Sequence, residues 1–157
     1  MKLRTFERRA LAIWEAIPAS FRDGVTAFVV DPGTYRKEEF EEGWVYGYCE
    51  EDAAVAALPG APVCSRITIF YGSFVNIAAD TPDFDWEGEL EETIRHELQH
   101  HLEWRAGIED LEVEDWLQDE NERRLQGSDF TPFFQRKGAS FGDGAWLADH
   151  TLFVEVR

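Results

Sequence analysis

The chain has 157 residues, 44% hydrophobic and 14% aromatic, and a net charge of -17 from 15 basic and 32 acidic side chains. This length suits one domain with a core of its own. The acidic balance repels phosphate backbones and anionic membrane surfaces, so nucleic acid and lipid headgroups are excluded as expected partners. No apolar run in the sequence approaches the length of a membrane span.

The first half of the chain alternates between helix and strand signals. Apolar residues at helical spacing from Leu3 to Ile17 predict an amphipathic helix that Pro18 ends. Three short runs rich in β-branched or aromatic residues then predict strands, namely VTAFVV at 25–30, WVYGYC at 44–49 and RITIFY at 66–71. The turn residues DPG follow the first run, and Gly72 is expected to end the third.

The second half is predicted to contain two helices and a β-rich tail. Leu90, Ile94, Leu98 and Leu102 predict a helix from about 86 to 106 that Gly107 ends, and a last helix is expected to start near residue 109. The tail from residue 127 contains the turn GDG and the alternating run TLFVEV, which predict a β-hairpin or an added strand pair. We expect an α+β fold in a single domain, 1–157, with 127–157 as an extension.

The N-terminal segment and the cysteines bear on the compartment. MKLRTFERRALAIWEAIP is charged throughout and does not have the pattern of a secretory signal. Cys49 and Cys64 are too few for a disulfide framework, so we interpret them as reduced thiols, with a single bond between them as the alternative. These features predict a cytoplasmic protein.

The motif H-E-x-x-H lies on the longer predicted helix, as His96, Glu97 and His100. At 100° per residue both histidines point away from Leu98, and their spacing of four residues lets two imidazoles reach one ion. Glu97 is expected on the flank, where it could accept a proton from a water molecule. Two neutral nitrogen ligands beside a carboxylate base are the chemistry of a catalytic Zn²⁺ site.

The competing interpretation of this motif is chance, because the helix is rich in His and Glu and its histidines could be plain surface residues. The position of the motif on a strong helix pattern after a strand favours the metal site. His101 lies near the edge of the apolar stripe, so we expect it to have a structural or supporting role rather than to bind metal.

Three stretches together resemble the small zincin-like metallopeptidases of bacteria, sometimes called minimal metalloproteases: WEAIPASFRDGVTAFVVD, RITIFYGSF and TIRHELQHHLEWRAGIEDLEVED. The resemblance covers roughly residues 6–126. It implies a zincin-like α+β fold with a mixed sheet against the metal helix, a Zn²⁺ site and a peptide or protein substrate. In the zincin plan one strand pairs with the extended substrate; RITIFY is the candidate, with an internal sheet strand as the equal alternative.

The third metal ligand is expected to be a carboxylate of the acidic segment 109–122, which holds eight acids and no base. Short members of the family have Gly-x-x-Asp closely after the second histidine; here Glu103 stands where that Gly would be, and Gly107 and Asp110 match it one turn later. Asp110 is therefore the expected ligand. A chain that turns at Gly107 and descends as a helix comes level with His100 later, which leaves these alternatives: Glu114, Asp115, Glu112 and Glu120.

Two functions fit these features. The first is a zinc-dependent peptidase in which Glu97 acts as general base and then as general acid. The second is a non-catalytic metal-binding module of the same fold with a binding or regulatory role. Tyr71, Arg95 and His150 are open candidates for a group that stabilises the transition state.

Overall fold

A computed structural model describes residues 1–40 and 43–156, and it has a mixed α+β architecture. The chain divides into two compact units, residues 1–107 and residues 108–157. The single domain expected from the sequence stays a prediction, and each unit is described here by itself.

Unit 1 begins with a helix, as its apolar spacing predicts, and ends with the longest helix of the chain. Its ordered elements are α1 (Leu3–Ala16), α2 (Ala19–Arg22), β1 (Val25–Asp31), β2 (Tyr35–Arg36), β3 (Trp44–Val45), β4 (Gly47–Glu51), α3 (Ala53–Ala56), β5 (Ser65–Phe70), α4 (Tyr71–Asp80) and α5 (Trp86–Ala106). The run WVYGYC, predicted as one strand, is divided at Tyr46: β3 pairs with β2, whereas β4 joins the main sheet. β5 ends at Phe70, and Tyr71, predicted as the last residue of the strand RITIFY, is already the first residue of α4.

The main sheet of unit 1 has the strand order β1-β5-β4. β5 lies parallel to β1 and antiparallel to β4, so both of its edges are paired. The proposal that RITIFY binds an extended substrate by its edge is therefore wrong, and the internal alternative is confirmed. In the described part of the chain β4 is an edge strand, and it lies against α5.

The core of unit 1 lies between this sheet and the helices α1, α4 and α5. Buried apolar side chains come from all four, and they are Phe6, Ala10, Trp14, Cys49, Ile67, Ile69, Phe74, Leu90, Ile94 and Leu98. Phe6 and Phe74 meet edge to face with ring centroids 4.9 Å apart, and Trp14 stacks on Phe28 at 4.6 Å. Burial of such large rings is the main stabilising contribution that a small core can obtain.

Unit 2 consists of α6 (Asp110–Leu125), a 3-10 helix (Phe134–Lys137) and the strands β6 (Ala139–Gly142), β7 (Ala145–Ala148) and β8 (Thr151–Val154). The strands form an antiparallel meander in chain order, so the predicted hairpin is present with one further strand. Leu117, Phe134 and Ala148 form the core of this unit. Among the helices of the described ranges, none combines the length and the apolar composition that a membrane crossing needs.

Candidate metal centre

Helix α5 has the ends that its sequence predicts. The Asp85 side chain caps the N-terminus by accepting a hydrogen bond from the Gly88 N–H at 3.0 Å, and Glu87 and Glu89 in the first turn favour the helix dipole. Gly107 ends the helix in the left-handed conformation with φ 69°. The motif therefore lies in the middle of a well-defined helix of 21 residues.

The buried side of α5 is wider than the apolar pattern indicates. Leu90, Ile94 and Leu98 are buried as predicted, whereas Leu102 is only half-buried. Three polar residues spaced four apart, Thr93, Glu97 and His101, are buried beside them, and we call these three the buried polar column. The buried side is thus rotated from the predicted stripe toward this column.

His96 and His100 lie outside this buried side, on a neighbouring line of the helix, and we call them the imidazole pair. Both are half-buried, and their ring centroids are 4.9 Å apart with the planes at 85°. Two nitrogen donors one turn apart in partly shielded positions fit a borderline-soft ion such as Zn²⁺. The residues present therefore suit the metal that the motif predicts, with further ligands still needed.

Glu97 is more buried than the flank position predicted from the helical wheel, with a relative exposure of 7%. It lies in the polar column between α5 and the start of β4. Cys49 of β4 is close to it: burial, with a smaller contribution from the negative charge of Glu97, raises the pKa of this thiol to about 12. Cys49 and Cys64 are both free, which agrees with the expected reduced thiols, and the raised pKa keeps Cys49 a neutral thiol.

His101 has the structural role that the sequence predicted. It is fully buried, with Nε2 at 2.7 Å from the Asp23 carbonyl oxygen and Nδ1 at 2.7 Å from the Ser65 hydroxyl. Since a carbonyl only accepts, Nε2 carries the proton and donates it there. Arg105 donates to the same carbonyl at 2.6 Å. Sequence reasoning missed Asp23 and Ser65, because nothing in their local sequence indicates contacts 78 and 36 residues away.

The acids of α6 differ in their surroundings within unit 2. Asp110, the expected ligand, is the first residue of the helix and is exposed, as are Glu112 and Glu114, whereas Asp115 is half-buried. Glu120 is buried, with one oxygen bonded to Arg123 and the other to the Thr131 N–H. Burial opposes ionisation of Glu120, but these bonds outweigh it and lower its pKa. Its carboxylate is therefore already engaged, which argues against Glu120 as a metal ligand.

The three residues suggested for transition-state stabilisation have different neighbours. The Tyr71 hydroxyl donates to the Met1 carbonyl oxygen at 2.7 Å, and Arg95 forms an exposed i,i+4 ion pair with Glu91. His150 lies in unit 2, in the tight turn between β7 and β8, with φ 54°. A role for any of them stays a prediction.

Comparison with known proteins agrees with this arrangement. A family model described as zincin-like metallopeptidase matches residues 36–120, which is more than half of the chain and includes the whole H-E-x-x-H helix. The chain therefore belongs to the zincin-like metallopeptidase family.

Among solved structures, the chain is similar to a conserved hypothetical protein from Thermus thermophilus. The two are 32% identical, with a TM-score of 0.59, and the match covers 68% of this chain and 98% of the other. No curated protein matches the chain.

Proposed function

We propose that this protein is a zinc-dependent peptidase that hydrolyses peptide bonds. The observation that carries this proposal is the arrangement on α5, where the imidazole pair lies one turn apart and the carboxylate of Glu97 is buried between the helix and β4. Membership of the zincin-like metallopeptidase family supports the same class. The strong negative charge is consistent with a peptide or protein substrate rather than nucleic acid or a membrane surface.

In this proposal His96 and His100 bind the metal through neutral imidazole nitrogens. A bound Zn²⁺ supplies Lewis-acid chemistry, since it lowers the pKa of a water ligand toward ~7 and polarises a carbonyl group. The half-buried positions of both rings limit competition from bulk water for their nitrogens. Both imidazoles must be unprotonated to bind a metal, so protons compete with the ion for these nitrogens.

We propose a carboxylate of α6 as the third ligand. Asp110 is the candidate from the family pattern, but the helix lengths favour Asp115. α5 continues for six residues beyond His100, which is a rise of about 9 Å at 1.5 Å per residue. A helix that starts at Asp110 and runs back would need a similar rise before one of its residues came level with His100. Asp115 meets this requirement of helix length and is half-buried, whereas Asp110 and Glu114 are exposed.

Glu97 is the proton carrier of the proposed reaction. Its carboxylate accepts a proton from the attacking water and returns it to the amine that leaves, which makes it general base and then general acid. Burial against β4 keeps water away from one side of the carboxylate and restricts its rotamers. Such restriction holds a general base within reach of the proton it must take.

The edge of β4 is the proposed binding site for the substrate backbone. β4 is paired with β5 on one side and lies against α5, so an extended peptide that adds to its other edge would run beside the motif helix. Main-chain hydrogen bonds to a sheet edge recognise any peptide sequence, and side-chain pockets then add specificity. This assignment replaces RITIFY, whose two edges are occupied.

The test compares wild type with Glu97→Gln on a diverse peptide pool, each loaded with one equivalent of Zn²⁺. The amide keeps the size of the side chain but cannot take up a proton, so we expect a rate loss of about 10²–10⁴-fold with unchanged zinc content. Equal cleavage by both proteins would refute the role of Glu97. A wild type that binds zinc and cleaves nothing in the pool would instead support the non-catalytic binding module.

A further inference from the structure

Strand β4 begins with a glycine that lies directly against α5. A Cβ atom at Gly47 would be 2.8 Å from Cγ2 of Thr93, 2.9 Å from Cγ of Glu97 and 3.1 Å from Oε1 of Glu97. Contacts below 3.0 Å are essentially never made by real Cβ atoms. The φ angle of Gly47 lies outside the left-handed region, so its backbone would accept any residue. The position therefore needs a glycine for space and not for backbone freedom.

β4 is held at this distance from α5 by its other neighbours. Gly47 pairs with Ile69 of the central strand β5, and the carbonyl of Tyr46 accepts a hydrogen bond from Phe70 N–H at 2.8 Å. The ring of Tyr46 stacks on Phe74 with centroids 4.1 Å apart, and burial, with a smaller contribution from Glu89, raises its pKa to about 12. The strand therefore cannot move away from the helix without breaking core contacts.

We propose that Gly47 is a positioning residue for Glu97. By lacking a side chain, it lets the backbone of β4 close one side of the space that the Glu97 side chain occupies, and so fixes the carboxylate. The expected effect of Gly47 on the rate of peptide cleavage rests on the proposed function. Its effect on the position of the Glu97 carboxylate does not.

The cost of a misplaced base indicates why this contact matters. A free glutamate side chain has several rotamers. The rotamers of Glu97 are restricted, because its relative exposure is 7% and the backbone of β4 lies against it at Gly47. A displacement of about 1 Å in a reacting group can reduce the rate about 10²-fold. A methyl group at position 47 would push against Cγ and Oε1 of Glu97, which are the atoms that set the carboxylate position.

The first experiment is a pair of crystal structures, wild type and Gly47→Ala, which measures the position of the carboxylate independently of turnover. We expect the Glu97 carboxylate to move by about 1 Å or to change rotamer, with zinc still bound at one equivalent because the nearest atoms to the new methyl belong to Thr93 and Glu97. An unmoved carboxylate would overturn the proposal, whether or not the protein is a peptidase. If Gly47→Ala does not fold, Gly47→Ala with Thr93→Ser replaces it, since serine removes the Thr93 methyl and leaves the contact with Glu97.

The second experiment is a double-mutant cycle on peptide cleavage. Gly47→Ala alone should lower kcat about 10²-fold with little change in KM, but in the Glu97→Gln background it should cause no further loss, because both changes act on the same group. Losses that multiply would show that Gly47 acts elsewhere and would overturn the proposal. Gly72→Ala is the matched control, because its Cβ would be 2.6 Å from the Gly33 carbonyl oxygen. It therefore introduces a similar steric clash in unit 1 at a place that does not contact Glu97. The value of kcat per folded molecule should stay unchanged.

Discussion

Two lines of side chains run side by side along α5, and they differ in how deeply they are buried. The imidazole pair, His96 and His100, is half-buried with the rings 4.9 Å apart. The buried polar column, Thr93, Glu97 and His101, faces the core side and is bounded by Gly47 and Ser65. Consecutive residues thus serve different purposes, because a step of 100° around the helix changes what each one contacts.

The comparison indicates that environment, more than residue type, distinguishes the structural histidine His101 from the two proposed metal ligands. His101 has both nitrogens engaged by the Ser65 hydroxyl and the Asp23 carbonyl, so no lone pair is left for a metal. His96 and His100 lie on the other line and approach each other. Equal responses of the two lines to substitution would contradict this distinction.

The largest expected effect concerns the imidazole pair. Protein purified without added metal should contain about one Zn²⁺ per chain by elemental analysis, and His96→Ala with His100→Ala should abolish that content, because the remaining carboxylates alone bind zinc weakly. His150→Ala is the control, since His150 lies in a turn of unit 2, and it should keep the full zinc content. One equivalent of zinc in the double variant would place the metal site elsewhere.

The next effect concerns the proposed third ligand. Asp115→Asn should lower zinc affinity at least about tenfold, or ~1.4 kcal/mol, since the neutral amide is a poor ligand for the ion. The measurement is zinc titration against a competing chelator for Asp110→Asn, Glu114→Gln and Asp115→Asn, each checked for folding. Glu120→Gln is the control for lost charge in the same helix, because its carboxylate is engaged by Arg123 and Thr131. A loss confined to Asp110→Asn would restore the ligand that the family pattern predicts.

The smallest effect tests the other line. His101→Ala should lower the free energy of unfolding of the metal-free protein by about 2–4 kcal/mol, since it leaves a cavity and removes the histidine partner of the buried Ser65 hydroxyl, yet the folded variant should still bind zinc. His96→Ala, at a half-buried position, should change that free energy by less than about 1 kcal/mol. Denaturant unfolding in the presence of chelator measures both. Equal destabilisation by the two substitutions would contradict the division between the lines.

Much of this arrangement was predictable from local sequence. The bounds of α5 follow from its apolar spacing and from Gly107, and the zincin-like class follows from the motif and its neighbouring stretches. The pairing of β5 was not predictable, because an apolar six-residue run has the same pattern at an edge and in the middle of a sheet. The split at Tyr46 was missed for a related reason: alternation continues through it, and the change of pairing partner from β2 to β5 depends on strands that are distant in the sequence.

The burial of Glu97 was also beyond sequence reasoning. A helical wheel places it on the flank of the Leu98 stripe, whereas in the structure it is buried and Gly47, a residue without a side chain 50 positions earlier, lies against it. The acidic segment after Gly107 had a similar limit. The sequence left five of its eight acids open as the third ligand, with Asp110 preferred, and the structure shows that Glu120 is buried with its carboxylate hydrogen-bonded to Arg123 and to the Thr131 N–H.

The contacts of Asp23 with α5 have a consequence for how unit 1 folds. Its carbonyl oxygen accepts hydrogen bonds from His101 and Arg105, which are 78 and 82 residues further along the chain. Joining such distant points costs loop-closure entropy before any contact compensates for it, and folding slows as the sequence separation of contacts grows. We therefore expect these bonds to form after the folding transition state. Weakening them should accelerate unfolding and leave the refolding rate nearly unchanged.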